Sequence, residues 1–228
     1  MCMFANEVTI LKTENETQSK NLRDDDRRVI KDIMKSMSMF KVNSYDAQVI
    51  RRDLTGMAYE MKLRNSSLQE TIGEDVKGFT DEIIKNSFGP SMLEIILNFL
   101  MKLSGYFFTW FTLLALGAYS SFSWQANPIV YFYFVGVVVV IFIAEGIIAP
   151  LFITEKGFKK NLHSVISMLL LITLTSIIFL LNDKNYTREV NGGIIIAASG
   201  LVYFITQYLN SNNIGRLAKD KKNFIDDL

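Results

Sequence analysis

One carboxylate stands inside a run that is otherwise apolar. Residues 128–153 read PIVYFYFVGVVVVIFIAEGIIAPLFI, and Glu145 is their only charged side chain. A charge at that depth costs a few kcal/mol on insertion scales and usually faces a bundle interior. The chemistry it could serve is a proton- or cation-linked site, or a polar contact that sets helix packing. Ser167, Thr173 and Thr175 would lie near it across a hairpin, and Gln207, with Ser199 and Tyr203, brings polar groups to a later apolar segment. The plainer role is a Glu held by neighbouring hydroxyls, protonated or snorkelling. The sequence favours that role, because no basic partner stands in another apolar run.

Other reactive side chains are few. Cys2 is the only cysteine and His163 the only histidine, so an internal disulfide is excluded and a standard zinc site is not expected. Cys2 reads as an ordinary free thiol rather than a lipidated one. His163 could change charge near neutrality, but it reads as an interfacial polar residue beside Lys159 and Lys160. Asp24, Asp25 and Asp26 could suggest a metal, yet no glycine-turn calcium loop succeeds them, and acids suit the start of a helix. There is no Gly-rich phosphate loop, no H-E-x-x-H and no G-x-S-x-G. No catalytic residue, cofactor or metal is therefore assigned, and an enzyme is not expected.

Hydropathy places these groups on helices. About 20 apolar residues let a helix cross a bilayer, and lipid forces such a run to be helical. Spans are predicted at Ser104–Phe122, Pro128–Thr154, His163–Leu181 and Asn191–Leu209. Trp110 and Trp124 mark the first span and an interface. Gly146 and Pro150 could kink the second span, and Gly193 and Ala197 have small-xxx-small spacing in the fourth. Residues 91–103 fit either an interfacial helix or the wet end of the first span. The loop 155–162 and the tail 210–228 are basic, while 123–127 carries no cation and 182–190 is mixed. Positive loops stay in the cytoplasm, so both termini are expected inside. The start MCMFANEVTILKTENE has no basic region and no long apolar core, so no cleavable signal peptide is expected.

Before the spans lies a charged stretch. Residues 1–23 read as a polar arm, frayed or forming a short helix. Asp24–Lys41 places Ile30, Ile33, Met34, Met37 and Phe40 on one helical face. Ser44 is a plausible N-cap for a helix over Tyr45–Arg64. Ser67 and Glu70 have capping-box spacing, Gly73 suits a left-handed stop, and a further helix carries Val76, Phe79, Ile83 and Ile84. Gly89-Pro90 then separates this region from the apolar segments. Charges of both signs mix here, so nucleic acid is not an expected partner.

The run Ser67-x-x-Glu70-x-Ile72-Gly73-Glu74-Asp75-x-x-x-Phe79-x-Asp81-Glu82-Ile83 resembles the end of the HAAS-type helical domain. The resemblance extends over residues 24–88, and over the membrane part by layout. Val76 stands where many relatives carry proline. HAAS domains occur in low-GC bacteria, in families of unknown function, some encoded beside PadR-type regulators and many succeeded by several spans. The resemblance implies a signalling or regulatory association and designates no active-site residue.

The expected protein is all-α. Its order is a polar arm (1–23), a cytosolic three-helix domain (24–88), a linker and interfacial helix (89–103), four spans (104–209) and a basic cytosolic tail (210–228). The expected function is regulatory or scaffolding, with Val76, Phe79 and Ile83 offered to a protein partner. The alternative is a small transporter or channel component using Glu145. Expected partners are the lipid bilayer of the cell membrane and a regulator, a transporter subunit or a second copy.

Overall fold

A computed structural model of the 228-residue chain describes residues 7–73, 75–117, 123–126, 128–153, 155, 157–181 and 188–226. Cys2, Glu74, Phe122, Asp183 and Lys184 lie outside this set, as do the side chains of Trp124, Arg188, Lys221 and Lys222.

The architecture is helical. In the N-terminal part run α1 (Glu7–Ser19), α2 (Asp24–Ser36), α3 (Ser38–Lys41), α4 (Ser44–Leu63), α5 (Leu68–Ile72) and α6 (Val76–Lys85). Then come α7 (Met92–Gly117), β1 (Ser123–Ala126), α8 (Ile129–Ile143), a π-helical turn (Ala144–Ile148), α9 (Ala149–Phe152), α10 (Phe158–Leu181), β2 (Arg188–Asn191) and α11 (Gly192–Asp226). Among the described residues four stretches are long and apolar enough to cross a membrane: Met92–Gly117, Tyr131–Phe152, Phe158–Leu181 and Gly192–Lys219. That is the composition of a membrane protein. Contacts divide the chain into two compact units, one of Met1–Ile95, Glu145–His163 and Asn210–Leu228, the other of Ile96–Ala144 and Ser164–Leu209.

The first unit has its own core. Leu22, Ile30, Ile33, Met37, Val42, Leu54, Ala58 and Leu68 are buried together, with Val76, Phe79, Ile83 and Ile84 half-buried against them. Residues 7–19 take the second of the two expected forms, a short helix, and it lies on α4. Its anchor is polar: Asn15 is fully buried and donates to the Gln48 carbonyl at 2.9 Å and to Gln48 Oε1 at 3.2 Å. That is why hydrophobic periodicity is weak there. The expected capping box is present, with Ser67 Oγ accepting from Glu70 N and Glu70 Oε2 from Ser67 N. Gly73 ends α5 at φ +82°. The N-cap of α4 falls one residue earlier than expected, at Asn43, whose side chain accepts from Asp46 N at 2.9 Å.

The second unit is organised on rings. Phe134, buried in α8, meets Trp110 of α7 at 5.3 Å and Phe111 at 5.8 Å, and Phe111 stacks on Tyr131. Gly136 lets Leu174 of α10 close on α8. Gly105 and Gly200 meet the rings of Tyr203 and Phe108, which brings α7 and α11 together. Among the described residues two four-residue strands interrupt the helices. β1 and β2 pair antiparallel, Ser123 opposite Asn191 and Ala126 opposite Arg188, so the expected turn and polar loop are tied to each other. Residues 92–103 are helical and run on into residues 104–117 within α7. The tail is likewise helical and continuous with the fourth span, with Ile214 and Ala218 buried.

Candidate functional site

Within the first unit, the end of the second span and the start of the third pack against the N-terminal helices. Pro150 has no N–H to give and crowds the carbonyl of residue 146, which is the usual origin of a disturbed turn. The backbone answers with the π turn at Ala144–Ile148. α9 then rests on α2. Gly146 is buried under Phe40, so close that a Cβ added there would lie 2.1 Å from a ring carbon.

Charges track the same contact. Lys160, in the first turn of α10, is ion-paired to Asp32 of α2. Glu155 faces Lys77 of α6 at 3.7 Å. Between these pairs opens a groove of about 830 Å³, lined among others by Val29, Gln69, Asp75, Ile153 and Lys159. Its walls alternate sign, with three carboxylates and three ammonium groups. Such walls suit a zwitterionic or polar surface better than a single ion. Among the described residues no three His, Cys, Asp or Glu side chains converge as a metal ligand set.

A buried polar hub ties the start of α4 to the segment before α7. Asn43 N donates to the Phe88 carbonyl at 3.0 Å, and Asn43 Nδ2 donates to the same carbonyl and to Asp46 Oδ2 at 3.0 Å each. Phe88 N donates to Asp46 Oδ2 at 3.1 Å. Glu94, 1% exposed, accepts from Ser44 N and from the Ser44 hydroxyl. A carboxylate at a helix N-terminus also meets the positive end of the helix dipole.

No family model, curated protein or solved structure matches the chain.

The sequence candidates separate between the units. Glu145 lies on the π turn, exposed, in the unit of the N-terminal helices. Ser167, Thr173, Thr175 and Gln207 belong to the other unit. Thr173 and Thr175 donate to their own helix, to the Leu169 and Leu171 carbonyls at 2.9 and 2.8 Å, and Tyr133 Oη lies 3.4 Å from Thr175 Oγ1. Ser167 and Gln207 are half-buried. Val76, Phe79 and Ile83 are half-buried against the core of their own unit. His163 Nδ1 sits 2.8 Å from the Lys160 carbonyl of its own helix. Sequence reasoning passed over Asp32, Lys77, Asn43 and Glu94. Only Glu94 carried a signal, an acid in the first turn of a long apolar helix.

Proposed function

We propose that the chain is a regulatory or scaffolding protein of the cell membrane. Its N-terminal helices lie in the cytoplasm and bind a protein partner, and the packing they share with the span ends passes that occupancy to the membrane helices. One observation carries the reading: helices α1–α6 form a single packed unit with residues 145–163 and the start of α7. A ligand that ordered or shifted α2 would move Asp32 and Phe40, and with them Lys160 and Gly146. The excess of Lys in the 155–162 loop and the tail supports the cytoplasmic assignment. The resemblance of residues 67–83 to HAAS domains supports a regulatory rather than a catalytic role.

The test is in-cell photo-crosslinking of the full-length protein, with the probe placed at Tyr59 or Leu63, both exposed on α4, and mass spectrometry of the adducts. A recurrent cytoplasmic protein adduct is expected. Adducts with lipid or with the chain itself at every probe position would sink the proposal.

A further inference from the structure

A second groove lies on the N-terminal helices, away from the mixed-charge one. It has a volume of about 520 Å³ and is lined by Ser19, Arg27, Ile30, Lys31, Met34, Lys35, Gln48 and Arg51. Four of these are cations and none is an acid. Arg27, Lys31 and Lys35 succeed one another at steps of four along α2, so they form one stripe about 12 Å long. Arg51 faces them from α4, and Ser19 closes one end from α1. Arg27 is paired with Asp24 of its own helix. Among the described residues, Lys31, Lys35 and Arg51 form no ion pair with the chain's own acids. The floor between the cations is apolar, made by Ile30, 5% exposed, and Met34.

We propose that this groove binds an acidic amphipathic helix of a protein partner. The inference rests on the partner-binding reading above and names the class of partner. Asp and Glu side chains at helical spacing would match the cation stripe, and apolar side chains between them would reach the floor. Helix-in-groove recognition uses that combination. Met34, unbranched and polarizable, adapts to such side chains. A bilayer surface meets this site less well. Its phosphates lie in a plane, whereas the apolar floor is recessed between α2 and α4.

The experiment uses the full-length protein in nanodiscs of phosphatidylcholine. The probe is a fluorescein-labelled four-turn peptide of Glu, Leu and Ala, with Glu and Leu on adjoining helical faces. A scrambled peptide of equal charge, with its Leu residues dispersed around the helix, is the control. The ordered peptide should bind, weaken as salt rises, and lose roughly tenfold or more in affinity with K31E/R51E. Met34→Ser should weaken it without changing the salt dependence. K31Q/R51Q should give an intermediate loss and serves if charge reversal disturbs folding. Equal binding of the scrambled peptide, or binding unchanged in all three variants, overturns the proposal. So does displacement of the peptide when phosphatidylserine is added to the discs, which would assign the groove to lipid. Crosslinking in cells separates the two levels of argument. A partner still captured at Tyr59 or Leu63 in K31E/R51E leaves the regulatory reading standing and removes this groove from it.

Discussion

Glu94, in the first turn of α7, accepts a hydrogen bond from the backbone N–H of Ser44 at 2.8 Å, fifty residues earlier in the chain, and a second from the Ser44 hydroxyl. The contact joins the start of the first span to the start of α4. Both donors sit where a helix N-terminus leaves backbone N–H groups without intrahelical partners. Glu94→Ala should therefore cost about 1–3 kcal/mol, because the acceptor of a half-buried backbone N–H is removed. Ser44→Ala should cost less, since its backbone N–H keeps the carboxylate. Hydrogen exchange in the first turn of α4 checks this. Protection there should fall in Glu94→Ala and persist in Ser44→Ala.

Asp26 plays the same part at α5. It is 1% exposed, and its Oδ1 accepts from Leu68 N at 2.8 Å. Leu68 is fully buried in the core, so its N–H has no route to water once the acid is gone. Asp26→Ala is expected to destabilise the first unit by about 1–3 kcal/mol. Asp26→Asn keeps an acceptor and should cost less. Denaturant titration of the full-length protein in micelles orders the two. Equal losses would mean that the charge, not the acceptor, matters.

What the sequence made legible was local. The capping box at Ser67 and Glu70 and the left-handed Gly73 each lie within one or two turns and stand as read, and so do Ile30, Ile33, Met34 and Met37 of the α2 stripe, but the helix expected through Lys41 breaks at Met37 and leaves Phe40 on α3 against Gly146. Four apolar runs announced four membrane-length helices. What escaped was long-range. Ser44 reads as an N-cap by type, but its hydroxyl is taken by Glu94, and Asn43, held by Phe88, caps α4 instead. The pairing of β1 with β2 joins four-residue segments far apart in the chain, too short for periodicity to register. The basic stripe of α2 was written in its four-residue steps. Arg51, which turns the stripe into a groove, comes from another helix, and the mixed composition of residues 1–90 concealed both.

The ion pair between Lys160 and Asp32 should contribute modestly. The two side chains are 37% and 22% exposed, which places the pair near the surface end of the scale, up to about 1 kcal/mol. Asp32→Lys sets two cations against each other, and Lys160→Asp in the same chain should restore most of what is lost. The loss in the single variant should shrink as salt screens the charges. Limited proteolysis of the 153–160 segment, at low and high salt, reads both effects. Unchanged cleavage in Asp32→Lys would show that α9 and its contact on α2 hold the segment unaided.

Gly146 and Phe40 give the sharper test of that contact. A Cβ on residue 146 would meet the ring at 2.1 and 2.6 Å, far inside van der Waals distance. Either the ring leaves its place or α9 shifts from α2. Overpacking of this kind costs about 1–3 kcal/mol, so Gly146→Ala should lower the stability of the first unit, and Gly146→Leu should lower it further. Phe40→Ala alone removes an aromatic contact and should also destabilise. Combined with Gly146→Leu, it opens the space the new side chain needs, so the double variant should be more stable than the sum of the single losses predicts. Denaturant midpoints of the parent, the two single variants and the double complete the cycle. Additive losses would mean that Phe40 does not cover Gly146, and the link from the N-terminal helices to the second span would then rest on α9 and the two ion pairs.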